Sequence, residues 1–555
     1  MASQYDTGLS NESSPAARAW PDYRTVWRWH FYAGLLCIPF VLWLAATGSI
    51  YLFKPQIDAW LDRPYDSLAT NTTPAPPSAQ VAAALATQPG AVLHAYELPR
   101  NAHAAARVLI GQGDHLTRVY VHPTTLRILH SIDEDQRFTN QIFHLHGELM
   151  QGDRGSLVVE TAASWTIVML LTGLYLWWPR DANAVAGVVY PRLRRRGRLL
   201  WRDLHAVTGF WVTFFALFLL ISGLPWAKSW GTVLQNVRSL GSASLVREDW
   251  TTGRSSELAQ RRLASSPAGI GTAERTGKPG QTGAPGHTEA PSDAEAPGRA
   301  EAPGRAEASS HAEAPRHAEA PRHAEAPDHT EAPRHAEAPG QAETPADEHT
   351  EHHHGGFSAT DQHAPPIDHR ALDRLVPVVV AQNLEPPVLI APPSKAALGW
   401  TARSDTQNRP HRVELTLDGA RAAVISQQGF AQQPPLDRII AVGIAAHEGQ
   451  LFAPLNQLLG LFTAAALWLV CISAIVMWWR RRQPGSLGAP TAVPAPRKPL
   501  ATGVFVVIAL LGVLLPLLGI TLLIVLLLEL TLLRRWPSAR DFLGLPAPAG
   551  SARGA

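Results

Sequence analysis

Four apolar runs, at about 31–53, 157–178, 206–226 and 458–479, constrain this 555-residue chain more than any other feature. At about 1.5 Å per helical residue, runs of roughly 20 residues cross a hydrocarbon layer of about 30 Å. The expected fold class is therefore a polytopic α-helical membrane protein. A fifth apolar block, 500–533, carries "PLLG" (Pro516–Gly519) at its middle. It is too long for one upright helix, so a short hydrophobic hairpin of two helices is expected there. The net charge of +2 is an average over unlike parts and says little by itself.

Basic residues give the expected orientation. Arg24 and Arg28 precede the first run, arginines 180, 192, 194, 195, 196, 198 and 202 fill the segment between the second and third, and Arg480–Arg482 follow the fourth. By the positive-inside rule these ends face the cytoplasm. Arg497 and Lys498 before the hairpin, and Arg534 and Arg535 after it, agree. Residues 1–20 are polar and lead into the first run without a small-residue cleavage site, so the first helix is expected to be its own anchor. Cys37 and Cys471, the only cysteines, both lie inside apolar runs. Neither a disulfide framework nor a CxxCH haem attachment is available, and both read as small packing residues.

The expected order along the chain is a cytoplasmic tail (1–24), a first span (25–54), an outer module (55–141), a second span (142–179), a basic cytoplasmic loop (180–203) and a third span (204–228). An outer helical segment (229–265), a His/Pro/Ala/Glu-rich tract (266–356), a second outer module (357–444), a fourth span (445–480), a cytoplasmic loop (481–499), the hairpin (500–533) and a cytoplasmic tail (534–555) complete it. In the first module "AQVAAALATQPG" reads as a short helix, with strands in "RVLIGQ" and "LTRVYVHPTTLRILHSID"; in the second, "ALDRLVPVVVAQ" reads as a helix and "HRVELTLDGARAAVIS" as two strands and a turn. Two small α+β modules follow from this. The tract between them repeats "HAEAPR", and a composition this poor in apolar residues reads as a flexible spacer.

Histidines repeat at fixed spacing. The first span carries His30, Gly34 and Thr47-Gly48, and the third carries His205, Gly209 and Ser222-Gly223, with the same spacing H-x3-G-x12-[ST]-G. The second and fourth form another matched pair: from His146 it is 26 residues to Thr172 and 31 to Trp177, and from His447 it is 26 to Ser473 and 31 to Trp478. His144 has no counterpart, since Ala445 stands at the matching position, and it is a secondary candidate only. Two facing imidazoles ligate a six-coordinate b-type haem from both sides, and Gly34 and Gly209, one turn past their histidines, leave room for a flat macrocycle. Two haems b are expected, a cytoplasmic-side one on His30 and His205 and an outer one on His146 and His447. Because His146 and His447 precede their apolar runs by about ten residues, the outer site is expected above the hydrocarbon layer. The Thr-Gly and Ser-Gly pairs by themselves read as helix-packing devices, and the tryptophan pairs as an interfacial belt.

The segments "WRWHFYAGL…TGSI", "LHGELMQGDRG…LTGLYLWWPR", "DLHAVTGFW…ISGLPW" and "AAHEGQLFAPLNQ…MWWRRR" together resemble the PepSY-associated transmembrane proteins, a bacterial inner-membrane family that includes iron-regulated proteins and ferric-siderophore reductases. The two outer modules resemble PepSY domains. The resemblance implies haem in the membrane, a role for His30, His146, His205 and His447 as its ligands, and reduction of a ferric siderophore or other ferric chelate at the periplasmic face. Ser222, Ser473-Ala474 and the His-rich insertion depart from the family pattern. No glycine-rich dinucleotide fingerprint is present, so membrane quinol or a cytoplasmic reductase is the expected electron donor, the lipid bilayer the surroundings, and no nucleic acid a partner. Two other readings stand beside this one: a non-redox PepSY sensor or peptidase inhibitor anchored by its helices, and a histidine-based metal-handling protein.

Overall fold

The computed structural model describes residues 23–70, 73–179, 185–239, 367–394, 399–482, 500–533 and 535–543. The expected N-terminal tail, most of the segment 229–265 and the His-rich tract lie outside these residues.

Five helices are long and apolar enough to cross a membrane: Thr25–Tyr51, Gly152–Trp177, Arg198–Trp226, Leu455–Arg481 and Pro516–Leu533. The first four belong to α1 (Tyr23–Tyr51), α5 (Gly152–Trp177), α6 (Arg198–Gly223) and α10 (Leu455–Arg481). They pack as one bundle, α1 against α5 and α10, and α6 against α5 and α10. The expected hairpin is two helices, α11 (Leu500–Leu514) and α12 (Pro516–Leu528), with a π-helical turn at Glu529–Leu533. Pro516 lacks the N–H that would continue α11, and the close approach of Gly512 and Gly519 leaves no room for a side chain at Gly519. Only the second arm reaches span length. Leu515 and Leu518 seat the hairpin against Ile167 and Val168 of α5, and Trp165 Nε1 donates to Thr521 Oγ1 at 3.0 Å.

Outside the bundle, the two α+β regions do not stand apart. β1 (Val92–Glu97), β2 (Ala106–Gln112), β3 (His115–Val121) and β4 (Ile128–Asp133) come from the first, and β5 (Val388–Ala391), β6 (Trp400–Ser404), β7 (Val413–Asp418) and β8 (Ala423–Gly429) from the second. They form one eight-stranded antiparallel sheet in the order β4-β3-β2-β1-β5-β6-β7-β8, joined where Tyr96 pairs with Ile390 and Glu97 with Leu389. Alternation sorts its faces. Val108, Ile110, Val119, Val121, Ile390, Ala402, Leu415 and Leu417 pack beneath α3 (Pro77–Leu85) and α8 (Ala371–Ala381). The two helices are tied by Asp373, which accepts from the Ser78 amide at 2.8 Å and hydroxyl at 2.7 Å.

The opposite face carries a buried charge network. Arg107, 0% exposed, meets Asp62, Asp66 and Glu97, while Arg118 bonds Glu97 and, at 2.8 Å, Glu134. Arg137, beside α4 (Phe138–Glu148), reaches Asp58 and Asp62 of α2 (Lys54–Asp62), which follows α1. The sheet is thus fastened to one end of the bundle by ion pairs.

Candidate functional site

Four histidines meet in two places, each held in the same way. At the end of the bundle bearing the arginines, His30 of α1 hydrogen-bonds through Nδ1 to the Met169 carbonyl (3.0 Å) and Thr172 Oγ1 (3.2 Å) of α5. His205 of α6 bonds the Val470 carbonyl (3.0 Å) and Ser473 Oγ (3.3 Å) of α10. At the sheet end, His146 of α4 bonds Thr47 Oγ1 at 2.9 Å and the Leu44 carbonyl of α1. His447, closing α9 (Pro435–His447), bonds Ser222 Oγ at 3.0 Å and the Leu219 carbonyl of α6. Every imidazole therefore sits on a hydroxyl residue and on the carbonyl three positions before it.

This arrangement determines where the proton lies. Each hydroxyl gives its own hydrogen to its helix: Thr47 to Trp43 (2.9 Å), Thr172 to Val168 (2.8 Å), Ser222 to Phe218 (2.7 Å) and Ser473 to Val470 (2.9 Å). Both neighbours of each Nδ1 then accept, so Nδ1 carries the hydrogen and Nε2 keeps a free lone pair. Burial pushes His146 down to about 4, and burial with the nearby His146 pushes His447 down to about 3. Both outer rings are therefore neutral at pH 7.

The ring centres of His30 and His205 are 6.3 Å apart with the planes at 76°. Two imidazoles ligating one metal from opposite sides, with bonds of about 2 Å and about 1 Å from each nitrogen to its ring centre, place those centres roughly 6 Å apart. The separation of the pair fits such a metal. Among the described residues no group of three or more His, Cys, Asp or Glu is placed to hold an ion. His146 lies close enough to His447 for a proton on one ring to disfavour a proton on the other, and Trp226 packs edge-on to His447 with centres 5.5 Å apart.

At three of the four seats the glycine that follows the hydroxyl residue receives the edge of the imidazole. A Cβ on Gly173 would stand 3.1 Å from His30 Cε1, on Gly48 3.2 Å from His146 Cε1, and on Gly223 3.4 Å from His447 Cε1. Thr47-Gly48 and Ser222-Gly223, read from sequence as packing devices, are seats of histidines, with Thr172-Gly173 and Ser473-Ala474 the other two. The signal was present in the 26-residue spacing, but which dipeptide serves which histidine is a tertiary fact. Gly34 and Gly209 are less crowded: a Cβ on Gly34 would meet only Met169 Sδ at 3.8 Å, and one on Gly209 nothing within 4 Å.

His144 is not part of either pair. It bonds Glu148 at 3.2 Å and faces Asp135 at 3.9 Å. Burial alone would lower it, but these two carboxylates push it up to about 9. Cys37 and Cys471 are both buried in one apolar cluster with Val41, Trp165 and Met169. Glu160, in the N-terminal half of α5, accepts from the amides of Ser229 (2.8 Å) and Trp230 (3.1 Å), satisfying the start of α7 (Lys228–Ser239).

The site at the sheet end sits lower along the bundle than its sequence position suggests. The chain reverses after α4, with Leu149 and Met150 at φ of 50° and 58°, so α4 folds back beside α1 instead of extending α5. His146 then reaches Thr47 within the apolar helix Thr25–Tyr51. Along α1 the two sites are 17 residues apart, from His30 to Thr47, or about 25 Å.

A comparison with curated proteins finds no match. The family model of the PepSY-associated TM region matches residues 27–481, a stretch that includes all four histidines, the sheet and the four-helix bundle, and the chain belongs to that family.

Proposed function

We propose that the protein is a di-haem electron conduit of the bacterial inner membrane, with its arginine-rich end in the cytoplasm, that reduces a ferric siderophore or other ferric chelate on the periplasmic side. The observation that carries this reading is the His30–His205 separation of 6.3 Å between two rings whose Nδ1 atoms are both committed to neighbouring helices. His30 with His205, and His146 with His447, would each hold one haem b, which would supply a one-electron carrier suited to electron transfer.

The chain's own residues do the positioning. Thr172, Ser473, Thr47 and Ser222 fix the tautomer, and the carbonyls of Met169, Val470, Leu44 and Leu219 raise the basicity of the imidazoles. Gly48, Gly173 and Gly223 allow His146, His30 and His447 to lie against a helix backbone. Electrons would enter at the cytoplasmic end from membrane quinol or a cytoplasmic reductase. Reduction loosens iron because Fe(II) is held less tightly than Fe(III) by hard oxygen donors.

An absorption spectrum of detergent-purified protein before and after dithionite tests the reading. The expected result is a reducible b-type spectrum with two haems per chain. Colourless protein that folds normally would leave the sensor or inhibitor reading in its place, and stoichiometric zinc or copper without porphyrin would favour metal handling.

A further inference from the structure

At the cytoplasmic end of the inner site, on the α6 and α10 side, polar groups converge that can only donate. Arg198 precedes His205 by seven residues, two helical turns, and so lies on the same face of α6. Arg481 follows Val470, whose carbonyl holds His205, by eleven residues, three turns, and shares that face of α10. The charge of Arg481 is felt at His205 and at Arg198. Its Nε donates to the Met477 carbonyl at 3.2 Å, and among the described residues neither arginine has a carboxylate partner. Asp203, the buried acid at this end of α6, is occupied by Arg192 (2.6 Å) and Arg202 (2.9 Å).

Trp478, three residues before Arg481, has a buried indole Nε1 with no hydrogen-bond partner among the described residues. Its counterpart Trp177, at the same 31-residue distance from its own histidine, donates to the Val188 carbonyl at 2.9 Å. The matched half of the protein has no counterpart of Arg198, since Tyr23 stands seven residues before His30 and packs on Tyr175, while Arg180, the counterpart of Arg481, lies outside the described residues. Two unpaired guanidinium groups and an orphan N–H beside a metal-spaced imidazole pair are complementary to carboxylates.

We propose that Arg481, Arg198 and Trp478 bind the carboxylate side chains of the inner porphyrin, fixing the macrocycle with its acidic edge toward the cytoplasm on the α6 and α10 side. This rests on the di-haem reading above. The two arginines then favour the reduced iron by offsetting the carboxylate charge.

The test has two arms. In potentiometric titration of purified protein, Arg481→Gln and Trp478→Phe should each lower the midpoint potential of the inner haem, Arg481→Gln by about tenfold in the reduction equilibrium, about 59 mV for one electron. The outer haem should not move, and Arg481→Lys should recover most of the loss. In reconstitution of haem-depleted wild-type protein, haemin should bind the inner site about tenfold more tightly than its dimethyl ester, and Arg481→Gln should abolish that preference. An unchanged inner potential in both variants overturns the proposal. So does equal binding of acid and ester by wild-type protein, the outcome expected if these groups bind a lipid headgroup instead, and it decides the matter even if a variant misfolds. Protein that takes up no haem at all overturns the di-haem reading itself.

Discussion

Enlarging Gly173 should disable the inner site in proportion to the side chain added. A Cβ at this position would stand 3.1 Å from His30 Cε1 and 3.6 Å from Nδ1, whereas ordinary contact begins at about 3.4 Å. Alanine therefore asks the ring to give by about 0.3 Å, which the bonds to Met169 (3.0 Å) and Thr172 (3.2 Å) can follow. The natural Ala474 beside Ser473 shows that a methyl is compatible with the matching seat. Valine adds two methyl groups about 1.5 Å beyond Cβ and forces the ring to move by an ångström or more, breaking the Nδ1 bond to Met169. Overpacking of this kind costs about 1–3 kcal/mol, and a displaced ligand lowers affinity by about 10–100-fold. Gly173→Ala should thus keep two haems per chain with a small change in the inner potential, and Gly173→Val should keep one. Haem quantification against protein concentration, with a redox titration to identify the surviving centre, makes the comparison. Gly173→Val protein with two haems of unaltered spectrum and potential would refute the idea that His30 is a ligand seated against this glycine.

Thr47→Val removes the hydroxyl that accepts from His146 at 2.9 Å, and should weaken retention of the outer haem about 10–100-fold without disturbing the inner one, as haem loss to an acceptor protein would record. His144→Gln should keep both haems. Because His144 is raised from 6.5 to about 9, its ion pairs stabilise the folded state fully below pH 6.5 and are lost as pH rises through 9, so thermal melting across that window should be flatter in the variant. Arg107→Met leaves Asp62, Asp66 and Glu97 without their shared cation and should lower stability by about 3–5 kcal/mol, measured by denaturant unfolding of the purified protein.

Local signals in the chain go far toward the fold. The 26- and 31-residue spacings mark His146 and His447 as equivalents and set His144 aside, and the structure gives His144 a separate partner in Glu148. The helices and strands that were recognisable, among them α3, α8, β2, β3, β7 and β8, have strong periodicity or a marked turn. Three strands escaped: β1 ("VLHAYE") carries a bulge between Leu93 and Ala95, β5 has four residues, and β6 ("WTARS") mixes polar and apolar types without clean alternation. Without β1 and β5 there was no means of seeing that the two α+β regions share a sheet. The seats of the histidines were invisible for a different reason. Thr172 and His30 are 142 positions apart, and Ser473 and His205 are 268 apart, so no window along the chain contains both partners. The depth of the outer site depended on a left-handed turn at Leu149 and Met150, residues that rarely adopt it and so gave no warning.

The pairing of ligands is tested most directly by haem content in the four single variants His30→Ala, His205→Ala, His146→Ala and His447→Ala, each resolved by redox titration. The expected pattern is that His30 and His205 variants lose the same centre and keep the other, while His146 and His447 variants do the reverse. Loss of one shared centre in His205→Ala and His447→Ala, or full haem content in any of the four, would contradict it.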